Sequence, residues 1–257
     1  MTEIRDPRSP LHHPREGGDP ELPGHPRAGG DTGSGASPLE ALGSRLRGND
    51  GGVRFSAVIL AAGESRRMGR NKLLLPLAGE PVIRRTVRTV LAAGMQETVV
   101  VTGHQGRDVM RVLLDLPITL QPNLRHEEGQ MRSVAAGVAA LAQATDAILV
   151  CPGDLPLLTS DDLRVLIEAF CAHSEHSIVI PRHRGERGNP IVFASAYAPE
   201  VAAGRRLIGC RKLAQQYPEE TWYFEADHDR YTTDLDTPAD YRRVLERLSL
   251  PLEVAAG

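Results

Sequence analysis

Three observations predict an α/β fold for this chain. From residue 55 onward, short apolar runs alternate with amphipathic stretches; the apolar runs end at Gly or Pro; and the chemically distinctive residues gather at those ends. Such alternation implies a single doubly wound, mostly parallel sheet with helices on both faces and right-handed crossovers. In a sheet of this kind, ligands sit beyond the carboxyl ends of the strands.

The elements follow in order. Phe55–Leu60 (FSAVIL) is small or apolar throughout, as a strand covered on both faces should be. Thr98–Thr102 (TVVVT) and Ala147–Cys151 (AILVC) repeat that pattern, and Ser177–Ile180 and Ile191–Phe193 read as later strands. Between them, Val82–Ala93, Arg107–Leu114, Met131–Gln143 and Leu163–Ala172 carry apolar residues at three- and four-residue steps, the period of a helix with one buried face. Pro238–Leu248 closes the chain as a helix with Pro at its first position.

Residues 1–54 have a different character. Gly and Pro fill 18 of these 54 positions, and HPREGGD at 13–19 returns as HPRAGGD at 25–31. Two short Gly-rich units build no solenoid, so the segment reads as a disordered extension, or as translated sequence upstream of the true start. It has no apolar h-region and lacks the acid-poor character of a transit peptide. Residues 55–250 suffice for one domain with a sizeable core. A net charge of −3 gives no reason to expect nucleic acid or an acidic membrane as partner, and no apolar run reaches spanning length. Cys151, Cys171 and Cys210 are odd in number and form no CxxC pair. That fits a reducing cytoplasm and argues against both a disulfide framework and a zinc site. The nine histidines form no HxxxH or HExxH, and there is no GxSxG elbow.

The segment after the first strand, LAAGESRRMGRNK at 60–72, carries the strongest signal. Small residues and Gly63 let the backbone turn and direct N–H groups at an anion, while Arg66, Arg67 and Lys72 bring positive charge to the same place. The bland alternative is a solvated basic turn. The spacing is neither a Walker A loop nor GxGxxG. Lys72 is one of only two lysines among 30 basic residues, which points to a compact charge on a phosphate that a planar guanidinium does not reproduce.

Other motifs fall at later strand ends. Asp154, in CPGDLP after AILVC, is placed to hold a divalent ion; the alternative of capping the next helix is better filled by Thr159, Ser160 or Asp161. In Asp234-Leu235-Asp236-Thr237-Pro238, an extended backbone turns Asp234 and Asp236 the same way, and either can be the ligand. Asp240 reads as a first-turn acid favoured by the helix dipole. Gly129, Gln130 and Ser133 open a helix as an anion or base-edge site, or as a plain loop-to-helix junction. The loop 183–190, HRGERGNP, places Arg187 and Asn189 before a strand, as a solvated loop or one whose arginines meet a phosphate monoester.

The opening motif resembles, almost position for position, the LAAGxSxRMGxxK of the nucleotidyltransferases, specifically the molybdenum cofactor cytidylyltransferase type. The resemblance covers about residues 55–248 and implies a Rossmann-like nucleotidyltransferase fold. It implies transfer of CMP from CTP to the terminal phosphate of molybdopterin cofactor, with release of pyrophosphate. Leu60, Ala61, Ala62, Gly63, Arg67, Lys72, Gln130, Ser133 and Asp154 would bind the nucleotide; Arg67, Lys72 and Asp154 would be catalytic. Asp154 with Asp234 or Asp236 would hold Mg2+, and Arg187 and Asn189 would face the acceptor. The family also implies transient docking to a molybdoenzyme or its chaperone. Guanylyl members read LAGG where this chain has LAAG, and Ala62 leaves less room near the base. Two rivals are transfer to another phosphorylated acceptor and a non-catalytic carrier for a molybdoenzyme.

Overall fold

The computed structural model describes residues 53–173, 175–204 and 217–249. The expected extension at 1–54 lies outside these, save Val53 and Arg54, as does Cys210. Both described residues belong to the domain: Val53 packs on the core, and Arg54 pairs with Asp146.

The strands are β1 (Phe55–Ala61), β2 (Pro76–Leu77), β3 (Glu80–Pro81), β4 (Glu97–Thr102), β5 (Thr119–Pro122), β6 (Ala147–Pro152), β7 (Ile178–His183), β8 (Glu186–Arg187), β9 (Ile191–Ala194) and β10 (Thr221–Glu225). The helices are α1 (Val82–Ala92), α2 (Gly106–Arg111), α3 (Gln130–Ala139), α4 (Ser160–Ala172), α5 (Ala198–Ala202) and α6 (Pro238–Arg247). One sheet orders its strands β10-β7-β9-β6-β1-β4-β5, with β8 paired to β7; β2 and β3 form a separate hairpin. The pairs of β1 with β4 and β6, of β4 with β5 and of β7 with β10 are parallel, while β9 runs antiparallel to β6 and β7. The mostly parallel α/β expectation holds.

Local chemistry accounts for the elements. β1, β4 and β6 are almost wholly buried, which is why they read as continuous apolar runs. α1 buries Val82, Ile83, Thr86, Val87 and Val90 along one face. α3 lies so close to the sheet that a Cβ on Gly137 would come within 2.2 Å of Val58 and 2.8 Å of Val101. Thr159 caps α4 in a reciprocal capping box with Asp162, leaving Asp154 unused for capping.

Some boundaries differ from expectation. α3 ends at Ala139 rather than Gln143, because the N–H groups of Ala142 and Gln143 turn to the Glu97 carboxylate. α2 ends at Arg111 rather than Leu114, where Leu113 N–H closes a turn on Met110. The loop at 183–190 is in part a hairpin: Arg184 and Gly185 both take positive φ, 50° and 83°, the signature of a two-residue turn.

Two apolar clusters divide the core. The larger lies along the sheet. The smaller joins Met68, Leu75, Leu77 and Val82 to Leu157, Leu235, Tyr241, Val244 and Leu245. Among the described residues, no helix is long and apolar enough to cross a membrane.

Candidate active site

The chain leaves β1 toward β4 and β5 on one side and returns to β6 on the other, so the carboxyl ends of β1 and β6 flank a topological switch point. Leu60 stands opposite Pro152, and Gly153 N–H donates to Leu60 O at 2.9 Å. Glycine suits position 153: a Cβ there would lie 2.7 Å from Ile83 Cδ1 and 3.0 Å from Leu60 O and would crowd the turn. Thr86 Oγ1 donates to Gly153 O at 3.1 Å and secures the same turn. Asp154 is thereby held at the mouth of the crevice, 8% exposed.

The loop after β1 is shaped by Ser65 rather than by Gly63. Ser65 takes the left-handed conformation with φ 55°, and its Oγ accepts from Lys72 N–H at 3.1 Å. Asn71 Oδ1 accepts from Leu73 N–H at 3.0 Å, and Met68 and Leu75 sink into the smaller cluster. A Cβ at Gly63 would meet nothing within 4 Å, so its bare backbone faces open space.

The acidic segment reaches this loop through the same cluster. Leu235 is fully buried beside Met68 and Leu245, and its N–H donates to Asp154 O at 3.2 Å. Burial of Leu235 turns the flanking carboxylates toward the crevice. Thr237 caps α6 in a capping box with Asp240, so Asp240 serves the helix start through a side-chain cap as well as a dipole.

The charges then meet. Lys72 Nζ contacts Asp154 Oδ2 and lies 2.9 Å from Asp236 Oδ1, while Arg67 reaches Asp236 Oδ2 at 2.5 Å. Burial works against the Lys72 ammonium, and the two carboxylates outweigh it, so its pKa stands above the ordinary lysine value. Lost solvation likewise opposes ionisation of Asp236, but Lys72 and Arg67 hold it below the usual carboxylate range. Asp234 is pushed up, first by desolvation and then by the negative charge of Asp154 and Asp236.

Beside these groups lies a cavity of about 240 Å³. Of the residues expected to hold a nucleotide, Leu60, Ala62, Gly63, Lys72, Gln130, Ser133 and Asp154 line it. Ala61 does not: its side chain is fully buried in the main core. Arg67 stands outside the lining, exposed and paired with Asp236. Ser133 Oγ already accepts from Asn123 Nδ2 at 3.0 Å. Gly129 takes φ 107°, a backbone that side chains rarely adopt, at the start of α3. Arg187 and Asn189 are outside the lining too; Asn189 N–H donates to Tyr231 O at 2.8 Å, which ties their segment to the one leading into Asp234.

Ser65 and His126 line the cavity without having been expected. Ser65 had a signal, since Ser tolerates local backbone hydrogen bonding within a Gly-flanked turn. His126 had none in spacing; only packing reveals it, since a Cβ on Gly103 would lie 2.7 Å from its ring.

The donor chemistry fits a hard divalent cation. Asp154 and Asp236 offer carboxylate oxygens to one point, where a protein cation, the Lys72 ammonium, already sits. Among the described residues, no group of three or more His, Cys, Asp or Glu forms a ready metal cage. Mg2+ commonly takes one or two protein carboxylates and completes its shell with phosphate and water, so two suffice.

Residues 57–221 match the family described as MobA-like NTP transferase domain. The chain is similar to the purine catabolism protein PucB of Bacillus subtilis, 31% identical over 201 residues, covering 75% of this chain and 96% of that protein. Among solved structures, it is similar to a nucleotidyl transferase from Methanothermobacter, with 27% identity, a TM-score of 0.66, and coverage of 77% of this chain and 99% of that one. Rv0371c of Mycobacterium tuberculosis gives 26% identity and a TM-score of 0.65 over 76% of this chain and 98% of that one, and it has also been solved in complex with manganese.

Proposed function

The chain belongs to the MobA-like NTP transferase family, a family of nucleotidyltransferases, and we propose that it transfers CMP from CTP to the terminal phosphate of molybdopterin cofactor. The observation that carries this reading is the cavity at the β1/β6 switch point, where Ala62, Gly63, Gln130 and Ser133 adjoin the Lys72–Asp154–Asp236 cluster. The walls suit a nucleoside, and the cluster suits a triphosphate with its cation.

Asp154 and Asp236 would hold Mg2+, with Asp234 beside them. When bound, the cation supplies charge neutralisation at the phosphate oxygens. Arg67 and Lys72 stabilise the charge that grows on the departing pyrophosphate. The Gly63 backbone admits the phosphates closely, and Asp154 keeps the cluster aligned with the cavity. Arg187 and Asn189 would face the acceptor, because Tyr231 links their segment to the one bearing Asp234 and Asp236. Docking to a molybdoenzyme or its chaperone, in the cytoplasm, would follow from that product. No covalent step on the protein is required.

Ala62 makes the nucleotide choice testable. Its methyl group is buried, 7% exposed, in the cavity wall. A purine must occupy more of that space than cytosine, and overpacking costs about 1–3 kcal/mol. The expected preference for CTP over GTP is therefore roughly tenfold to a hundredfold in kcat/KM, and Ala62→Gly should narrow it. Pyrophosphate release with each nucleotide, Mg2+ and candidate phosphorylated acceptors measures both. Equal use of GTP by the unaltered protein would refute cytidylyl specificity.

A further inference from the structure

The positive and negative groups of the candidate site are bonded to one another. Lys72 Nζ, 16% exposed, contacts Asp154 and lies 2.9 Å from Asp236, and Arg67 completes Asp236 from the other side. Asp234, exposed at the rim, adds further negative charge near Asp154 and Asp236. We propose that Lys72 is a specificity-determining residue that makes the site favour a divalent cation and a triphosphate arriving as one chelate, over either component alone. This inference rests on the nucleotidyltransferase reading of the same site.

The argument is one of partners. A cation that binds Asp154 and Asp236 by itself must displace the ammonium, and Lys72 then loses both carboxylates that bond it and keeps only the more distant charge of Asp234. A triphosphate that binds by itself draws Lys72 and Arg67 away, and the carboxylates are left facing one another. A chelate carries both signs, so each protein charge exchanges one partner for another. Cation and triphosphate must then raise each other's affinity by the same factor. Arg67 cannot stand in for Lys72, since its guanidinium is 70% exposed and already solvated.

Binding of Mn2+ alone, followed by the loss of free-ion signal in electron paramagnetic resonance, tests this directly. Lys72→Met should bind Mn2+ about tenfold more tightly than the unaltered protein. Asp236→Asn, titrated calorimetrically with CTP in the presence of EDTA, should bind the nucleotide about tenfold more tightly. A cooperative thermal melt certifies each variant, and either variant alone can decide the matter. Mn2+ affinity unchanged or weakened in folded Lys72→Met, or CTP affinity unchanged or weakened in folded Asp236→Asn, would overturn the role of Lys72. With CTP and Mn2+ together still bound by the unaltered protein, that result leaves the nucleotidyltransferase reading standing. Failure of the unaltered protein to bind any nucleotide with Mn2+ overturns both.

Discussion

Strands β1 and β6 lie side by side, and both ends of the pair carry a carboxylate set against a cation. At the amino end, Asp146 accepts the backbone N–H of Arg54 at 3.0 Å and its guanidinium at 3.1 and 3.2 Å. At the carboxyl end, Asp154 meets the side chain of Lys72, which it shares with Asp236. The two carboxylates are similarly hidden, with side chains 4% and 12% exposed. Burial therefore does not separate them; the kind of donor does. A backbone N–H in register with a strand cannot leave, whereas a lysine on a loop can swing to another anion. The amino end reads as a clasp for the sheet, and the carboxyl end as an exchangeable site.

The strongest way to break this contrast is to neutralise each carboxylate in turn. Asp154→Asn keeps volume and removes charge. It should cut kcat on the order of a thousandfold while the melting temperature moves little. Near-full Mg2+-dependent pyrophosphate release by this variant would refute the metal assignment. Asp146→Ala should do the reverse. It removes the acceptor of the Arg54 N–H and guanidinium from a part-buried pair at the start of β1, so Tm should fall by about 10 °C while kcat/KM of the folded protein stays within about twofold. Calorimetry and steady-state kinetics on the same preparations would show whether the two effects separate.

Asp162 sharpens the comparison, because it lies on the carboxyl-end side of β6 yet resembles Asp146. Its carboxylate accepts from Thr159 N–H at 2.9 Å and from Arg230 at 2.6 and 2.8 Å, with a side chain 4% exposed. Burial pushes its pKa up, but Arg230 and Thr159 prevail and hold it below the usual value. A depressed folded pKa means that the stabilisation is present above the unfolded value of about 3.9 and is lost as pH falls below it. Asp162→Asn should thus cost about 5 °C at pH 7, with the gap to the unaltered protein closing below about pH 4. A gap that did not narrow at all as pH fell from about 5 to the acid limit of folding would show that shape, and not charge, gives Asp162 its role.

Much of this was legible in the sequence because strong local signals coincided. Runs such as AILVC and TVVVT announce strands buried on both faces, and the motif from Leu60 to Lys72 singles out a segment that supplies much of the cavity lining. What escaped notice depends on distance in sequence. The polar edge strand β5 and the aromatic β10 lack the uniform apolar pattern of central strands. Met68 and Leu235 look like ordinary spacers within charged motifs, yet their shared cluster brings those motifs together. The bonds of Arg67 and Lys72 to carboxylates had no signal in spacing, because a list of charges does not say which of them will be neighbours. His126 is a wall of the cavity through packing against Gly103, a contact no spacing rule encodes.

The smallest effect belongs to the residues before the clasp. On composition alone, rich in Gly and Pro and poor in large apolar side chains, residues 1–52 are expected to be dispensable, and their deletion should shift Tm by less than about 1 °C. The clasp itself begins with the next two residues. Val53 packs on the core, and Arg54 O accepts from Asp146 N–H at 2.9 Å, Ala147 N–H at 3.2 Å and Thr145 Oγ1 at 3.0 Å. Deletion through residue 54 removes this shared acceptor together with the guanidinium, and its Tm should fall at least as far as that of Asp146→Ala. Scanning calorimetry of the two truncations side by side measures the difference. Equal melting temperatures would mean that Arg54 contributes nothing at the amino end, and the contrast between the two ends of β1 and β6 would fail there.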